Sequence, residues 1–204
     1  KALEADFGSE AVVDQPVTYR SSGLAQETGV SGIVYHIMGI NGATCASFST
    51  PENLHAVAGL DPDLIIVSFG TNEAHGRNYS AEEHRRQLTG FFTELKNRCP
   101  HAAFLLTTPP GAYMRSGRRG KTINTRTPRV VETEKRFAAD NGLALWDLYD
   151  IAGGQERACR NWTAANMFQR DRIHFTQEGY VLQGLLLHEA FIKAYNDYVA
   201  TKLD

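Results

Sequence analysis

The stretch Asp63-Leu-Ile-Ile-Val-Ser-Phe-Gly70-Thr-Asn72-Glu73 constrains the fold of this chain more than any other. It is an apolar run, opened by the turn signal Asp61-Pro62 and stopped by a glycine and a polar amide. A run so bounded reads as a strand buried on both faces. Strands of that kind belong to parallel sheets covered by helices. Ligands bind to such sheets just beyond the carboxyl ends of the strands, where Thr71, Asn72 and Glu73 stand. Asparagine is also common in ordinary turns, so this stretch alone does not define a site.

The rest of the chain alternates strand and helix signals. Ile33–Met38 reads as a short strand, followed by Gly39-Ile-Asn-Gly42-Ala-Thr, where glycines permit a tight turn and close approach to a ligand. A helix opens at Ser80, with Glu83 placed to complete a capping box. Its Leu88, Phe91, Phe92 and Leu95 fall on one face. Ala103–Thr108 is a further buried strand, stopped by Pro109-Pro110 and followed by a loop of roughly fifteen residues, a length that often borders a site. Thr127-Pro128 predicts an N-cap with proline at the first helical position. Leu143–Asp147 is a fourth strand. A long helix from Thr176 carries Val181, Leu185, His188, Ile192, Tyr195 and Val199 as its apolar stripe. This alternation predicts a doubly wound α/β layer fold with a mainly parallel sheet, over residues 31–204. Residues 1–30 show no clear βα unit and read as a lead-in, the tail of an upstream module.

Length and composition exclude several classes. A chain of 204 residues fits one domain with a substantial core. The net charge of −2 leaves no footprint for nucleic acid. No stretch is long enough to span a bilayer, and no signal peptide is present; the chain begins at Lys1 without a methionine. Cys45, Cys99 and Cys159 are too few for a disulfide framework. The basic run Arg115–Lys121 reads as a solvated loop. His36, His75, His84 and His101 lack metal-ligand spacing. Cys45 reads as a small buried residue and Trp146 as core, while Glu73 either borders the pocket or is an exposed turn carboxylate. Trp162 is either core or the flank of a sugar.

The second signal is Asp171-Arg-Ile-His174. On a helical turn this spacing puts both side chains on one side. An acid beside a histidine holds the imidazole in one tautomer and stabilises the imidazolium formed during proton transfer. Acyl transfer also needs N–H donors aimed at the developing oxyanion. The Gly42 backbone N–H and the Asn72 side-chain amide are suited to that role.

In this order, the glycine turn ending at Gly42, Phe69-Gly-Thr-Asn72-Glu and Asp171-Arg-Ile-His174 resemble three blocks of the SGNH (GDSL-like) hydrolases. Gly-Ile-Asn-Gly-Ala, Ser-Phe-Gly-Thr-Asn-Glu-Ala and Thr-Thr-Pro-Pro are more closely similar to the peptidoglycan O-acetylesterase branch. The resemblance covers about residues 30–200. It implies a flavodoxin-like three-layer α/β/α sandwich and a cofactor-free serine esterase that removes acetyl groups from carbohydrate hydroxyls. It also implies a periplasmic or extracellular location. Gly42 and Asn72 match the family's oxyanion donors, and His174 with Asp171 match its base and orienter.

The chain departs from the family in one respect: Gly-Asp-Ser, which supplies the nucleophile, is absent. Ser9, in Phe7-Gly8-Ser9-Glu10, is the nearest approximation. No apolar strand precedes it, and Pro16 interrupts the helix that should follow. In the esterase branch, an inserted carbohydrate-binding-like module often separates the serine block from the rest. The expectation is therefore that the first βα unit lies outside this chain, with an upstream segment of the same gene product carrying the serine. The alternative is a non-catalytic carbohydrate-binding protein on the same fold.

Overall fold

The structure, a computed structural model, describes residues 33–118 and 120–203. Ser9 and the lead-in over residues 1–30 lie outside the described residues. Three strands, β1 (Leu64–Ser68), β2 (Ala103–Thr107) and β5 (Ala144–Trp146), form a parallel sheet in the order β1-β2-β5. Ile66 stands beside Leu105, and Leu106 beside Leu145. Helices cover both faces, giving the three-layer α/β/α arrangement.

One face is sealed by α1 (Cys45–Phe48), α2 (Pro51–Ala58), α4 (Ala81–Arg98) and α5 (Thr127–Asp140). Leu88, Phe91, Phe92 and Leu95 of α4 are all buried there, as their spacing predicts. They meet Val67 and Leu106 from the sheet, and Phe48, Phe69, Phe91 and Phe92 pack edge-on or tilted. Leu88 is fully buried, so Leu88→Ala costs about 2–5 kcal/mol through lost transfer energy and the cavity left behind. The Ser80 hydroxyl accepts from Glu83 N at 3.3 Å. The capping box is only half made, because the Glu83 carboxylate binds Arg86 and Gln87 instead.

The other face packs Leu105, Trp146, Leu148, Tyr149, Trp162 and Phe175 beneath α6 (Leu148–Ile151), α7 (Gly154–Ala164) and α8 (Gln177–Leu203). The face of α8 that meets this core is Leu182, Leu186, Leu187 and Ala190. The stripe expected from spacing points outward instead: Val181, Leu185, Ile192 and Tyr195 are all exposed. This helix is apolar on more than one side, so periodicity alone did not select the face that finds a neighbour.

Three further expectations change. Ile33–Met38 is not a strand. It carries a single bridge residue at His36, and Ile33, Val34 and Ile37 are exposed. A strand exists only where a neighbour takes its N–H and C=O groups. Among the described residues, no strand pairs with the outer edge of β1. β1 is buried on one face only, with Ile65 and Val67 inward and Leu64 and Ile66 exposed. The long loop after Pro110 folds as an antiparallel hairpin of β3 (Tyr113–Ser116) and β4 (Gly120–Ile123). Finally, Arg126 rather than Thr127 is the N-cap of α5. No helix among the described residues is long and apolar enough to cross a membrane.

Candidate active site

The glycine turn, the Asn72 turn and the Asp-His turn are linked at the carboxyl end of the sheet. Gly70 follows β1 with φ +104, a conformation that L side chains rarely adopt. An added Cβ there would meet Glu134 Oε1 at 2.7 Å and Pro109 Cδ at 2.9 Å, so only glycine fits. Gly70 turns the chain into α3 (Thr71–His75), which carries Asn72 on its first turn. Gly42 also has a positive φ, +73, but its Cβ direction faces open space. At Gly42 the demand is for backbone conformation and access rather than for room.

Asn72 reaches across to the glycine turn, donating from Nδ2 to Ala43 O at 2.8 Å. An amide nitrogen carries two hydrogens, so one fixes the side chain and the other remains to serve a ligand. Glu73 is buried, not the exposed turn carboxylate that its sequence position suggested. Its Oε1 accepts from Cys45 N at 2.6 Å and its Oε2 from Gly70 N at 2.8 Å.

The Asp171–His174 pair forms as the spacing requires, though not on a helix. Residues 170–174 make a turn between the bridged residues Phe168 and Phe175. Asp171 Oδ1 accepts from Ile173 N at 2.9 Å and from His174 N at 3.0 Å, which folds the turn back on itself. Its Oδ2 lies 2.6 Å from His174 Nδ1. Partial burial pushes the Asp171 carboxyl up. The bonds from the His174 ring and from the two backbone N–H groups, with the charge on His174, outweigh this and hold it down at about 2. Arg172 takes φ +58 inside the turn and lays its guanidinium 5.0 Å from the centre of the Tyr113 ring.

Tyr113 joins the two halves, and nothing in its local sequence marks it. Its N–H donates to Arg172 O at 2.9 Å, and its carbonyl lies 3.2 Å from His75 Nε2 on α3. His75 Nδ1 is 2.8 Å from Thr71 O. Buried Asn124, at the foot of the hairpin, adds a second tie by donating from Nδ2 to Ala74 O at 2.9 Å. The hairpin therefore braces α3 against the turn that holds His174. The fifteen-residue gap was the only signal for it, and its cross-strand contacts are not coded by spacing.

The remaining candidates take structural places. Cys45, Cys99 and Cys159 are free and buried, and burial pushes the Cys45 thiol up to about 12. Trp162 is buried and donates to Pro110 O at 2.9 Å, so it is core rather than a sugar platform. Trp146 is likewise buried. His84 is buried beside Tyr79 and Glu134. No group of three or more potential metal ligands occurs among the described residues. Two concavities, of about 400 and 620 Å³, lie elsewhere, and neither is lined by Gly42, Asn72, Asp171 or His174. His174 is half exposed, so the pair sits on an open surface.

The sequence model of the GDSL-like Lipase/Acylhydrolase family matches residues 5–182. No curated protein sequence matches the chain. Among solved structures, a peptidoglycan O-acetylesterase superposes with a TM-score of 0.70 at 24% identity, covering 78% of this chain and 46% of that one. The chain thus spans less than half the length of that relative. An acetyl xylan esterase gives 0.58 at 18% identity over 74% of this chain and 78% of its own. A GDSL-like lipase from Bacteroides thetaiotaomicron gives 0.57 at 22% identity over 83% of this chain and 78% of its own. These likenesses are of fold.

Proposed function

The chain belongs to the GDSL-like lipase/acylhydrolase family, and from that premise we propose that it works as a serine esterase removing O-acetyl groups from carbohydrate, foremost bacterial cell-wall peptidoglycan. The observation that carries this reading is the Asp171–His174 pair at 2.6 Å, braced through Tyr113 against the helix that bears Asn72. With Nδ1 turned to Asp171, the His174 Nε2 is the nitrogen left for proton transfer. The serine hydroxyl attacks the acetyl carbonyl while His174 takes its proton, and the oxyanion that forms is held by Gly42 N–H and the Asn72 amide. Collapse breaks the ester bond, and His174 returns the proton to the departing sugar oxygen. Water then attacks the acetyl-enzyme by the same route, releasing acetate and restoring the serine.

The serine itself comes from a segment of the same gene product outside these 204 residues. That segment lies on a strand beside β1 and Ile33–Met38. Two observations support this placement: the unpaired outer edge of β1 among the described residues, and the exposure of Ile33, Leu64 and Ile66. The substrate places the enzyme in the periplasm or outside the cell. The absence of Gly-Asp-Ser equally favours a second reading, a non-catalytic carbohydrate-binding protein on this fold. Release of acetate from O-acetylated peptidoglycan, measured against acetylated xylan, tests the proposal. Binding of either glycan without acetate release, by the protein that carries the upstream segment, favours the second reading.

A further inference from the structure

The two oxyanion donors come from chain segments 30 positions apart (42 and 72), and no shared strand or helix fixes their separation. Catalysis by preorganised donors depends on that separation, since a misplaced donor no longer matches the oxyanion. We propose that Glu73 is a positioning residue of this oxyanion hole, its buried carboxylate clamping the segment that carries Gly42 to the turn that carries Asn72. The inference rests on the esterase reading above.

The two halves of the clamp are the bonds from Cys45 N to Oε1 at 2.6 Å and from Gly70 N to Oε2 at 2.8 Å. Cys45 opens α1 three residues after Gly42, and its N–H is one of the donors that a helix start leaves without an intrahelical partner. The neighbouring Thr44 hydroxyl already accepts from Ser47 N, so the Cys45 N–H needs an acceptor from another element. Gly70 sits two residues before Asn72, and its turn is hemmed in by Glu134 Oε1 and Pro109. With Glu73 pulling on its N–H from the other side, the turn has little freedom. The Asn72 to Ala43 bond at 2.8 Å is a second, parallel tie between the same two segments.

The chemistry of the clamp calls for glutamate. A carboxylate offers two acceptor oxygens and no donor, so it takes an N–H from each segment at once. Glutamine would turn an NH₂ toward one of those donors, and aspartate is one methylene too short to span both. Glu134 stands behind Gly70, and burial first, and then the Glu73 and Asp147 carboxylates, push its carboxyl well above the usual range.

The test measures kcat and KM for an aryl acetate in the catalytically active protein, with thermal midpoints recorded for each variant. Glu73→Gln is expected to lower kcat roughly tenfold to hundredfold with KM within about twofold, as for donors displaced only in the transition state. Should Glu73→Gln fail to fold, Cys45→Pro carries the same expectation. It deletes the N–H at the other end of the clamp, at a first-turn position that proline accepts. A folded variant that keeps its kcat, or loses only in KM, overturns the clamp while leaving the esterase reading intact. Wild-type protein that hydrolyses no acetyl ester overturns both.

Discussion

His174 Nδ1 lies 2.6 Å from Asp171 Oδ2, while the other oxygen of the same carboxylate holds the Ile173 and His174 backbone N–H groups. Asp171 thus builds the turn and orients the base with one side chain. Asp171→Asn should reduce turnover by roughly a thousandfold or more, since the amide presents the wrong partner to the ring. His174→Ala should remove nearly all turnover. Steady-state rates on an aryl acetate read both, and near-normal rates in either variant would remove the pair from the mechanism.

The same carboxylate sets a pH window. Its folded pKa is depressed to about 2 from an ordinary 3.8. The stability it contributes is therefore present above pH 3.8 and is lost as pH falls toward 2. Wild type should have a higher thermal midpoint than Asp171→Asn at pH 5, and the two should converge below about pH 4. Convergence at pH 6 would show that another group controls the turn.

Asn72→Ala removes the donor proposed for the oxyanion and also the tie to Ala43. Turnover should fall about a hundredfold or more with KM little changed. The lost tie should add a small drop in thermal midpoint. An increase confined to KM would instead assign Asn72 to ground-state binding.

Glu134 is fully buried, neither of its oxygens has a hydrogen-bond partner, and His84 Nε2 stands 3.8 Å away. Its folded pKa is raised, so the stability it confers is complete below pH 4.5 and is lost as pH rises through the folded value. Glu134→Gln, which cannot ionise, should flatten the fall in stability as pH rises above 4.5. Urea midpoints measured across that range check this, and curves that stay parallel to wild type would contradict it.

The nucleophile gives the most direct test of the proposed function. This 204-residue chain alone should be inactive toward an aryl acetate, and the upstream segment carrying Gly-Asp-Ser should restore activity. Robust hydrolysis by the isolated chain, abolished by Ser9→Ala, would place the nucleophile at Ser9.

Local features were legible in the residues alone. Asp171 and His174 meet because three residues of separation in a tight turn leave them no other arrangement, and the buried face of α4 follows from its own spacing. The parallel strands at Leu64 and Ala103 were legible because an apolar run between turn signals has few alternatives. The rest depended on contacts between segments distant in the chain. Glu73 looked like a turn carboxylate until Cys45, 28 positions earlier, supplied a donor for it. Ile33–Met38 has the composition of a strand, but pairing belongs to the neighbour as much as to the segment. The helix Gln177–Leu203 is apolar on several sides, and the sheet, not the periodicity, selected Leu182, Leu186 and Leu187 for burial. Tyr113, which joins the two halves of the site through its backbone, carries no sequence signal, because every residue but proline offers the same N–H and C=O.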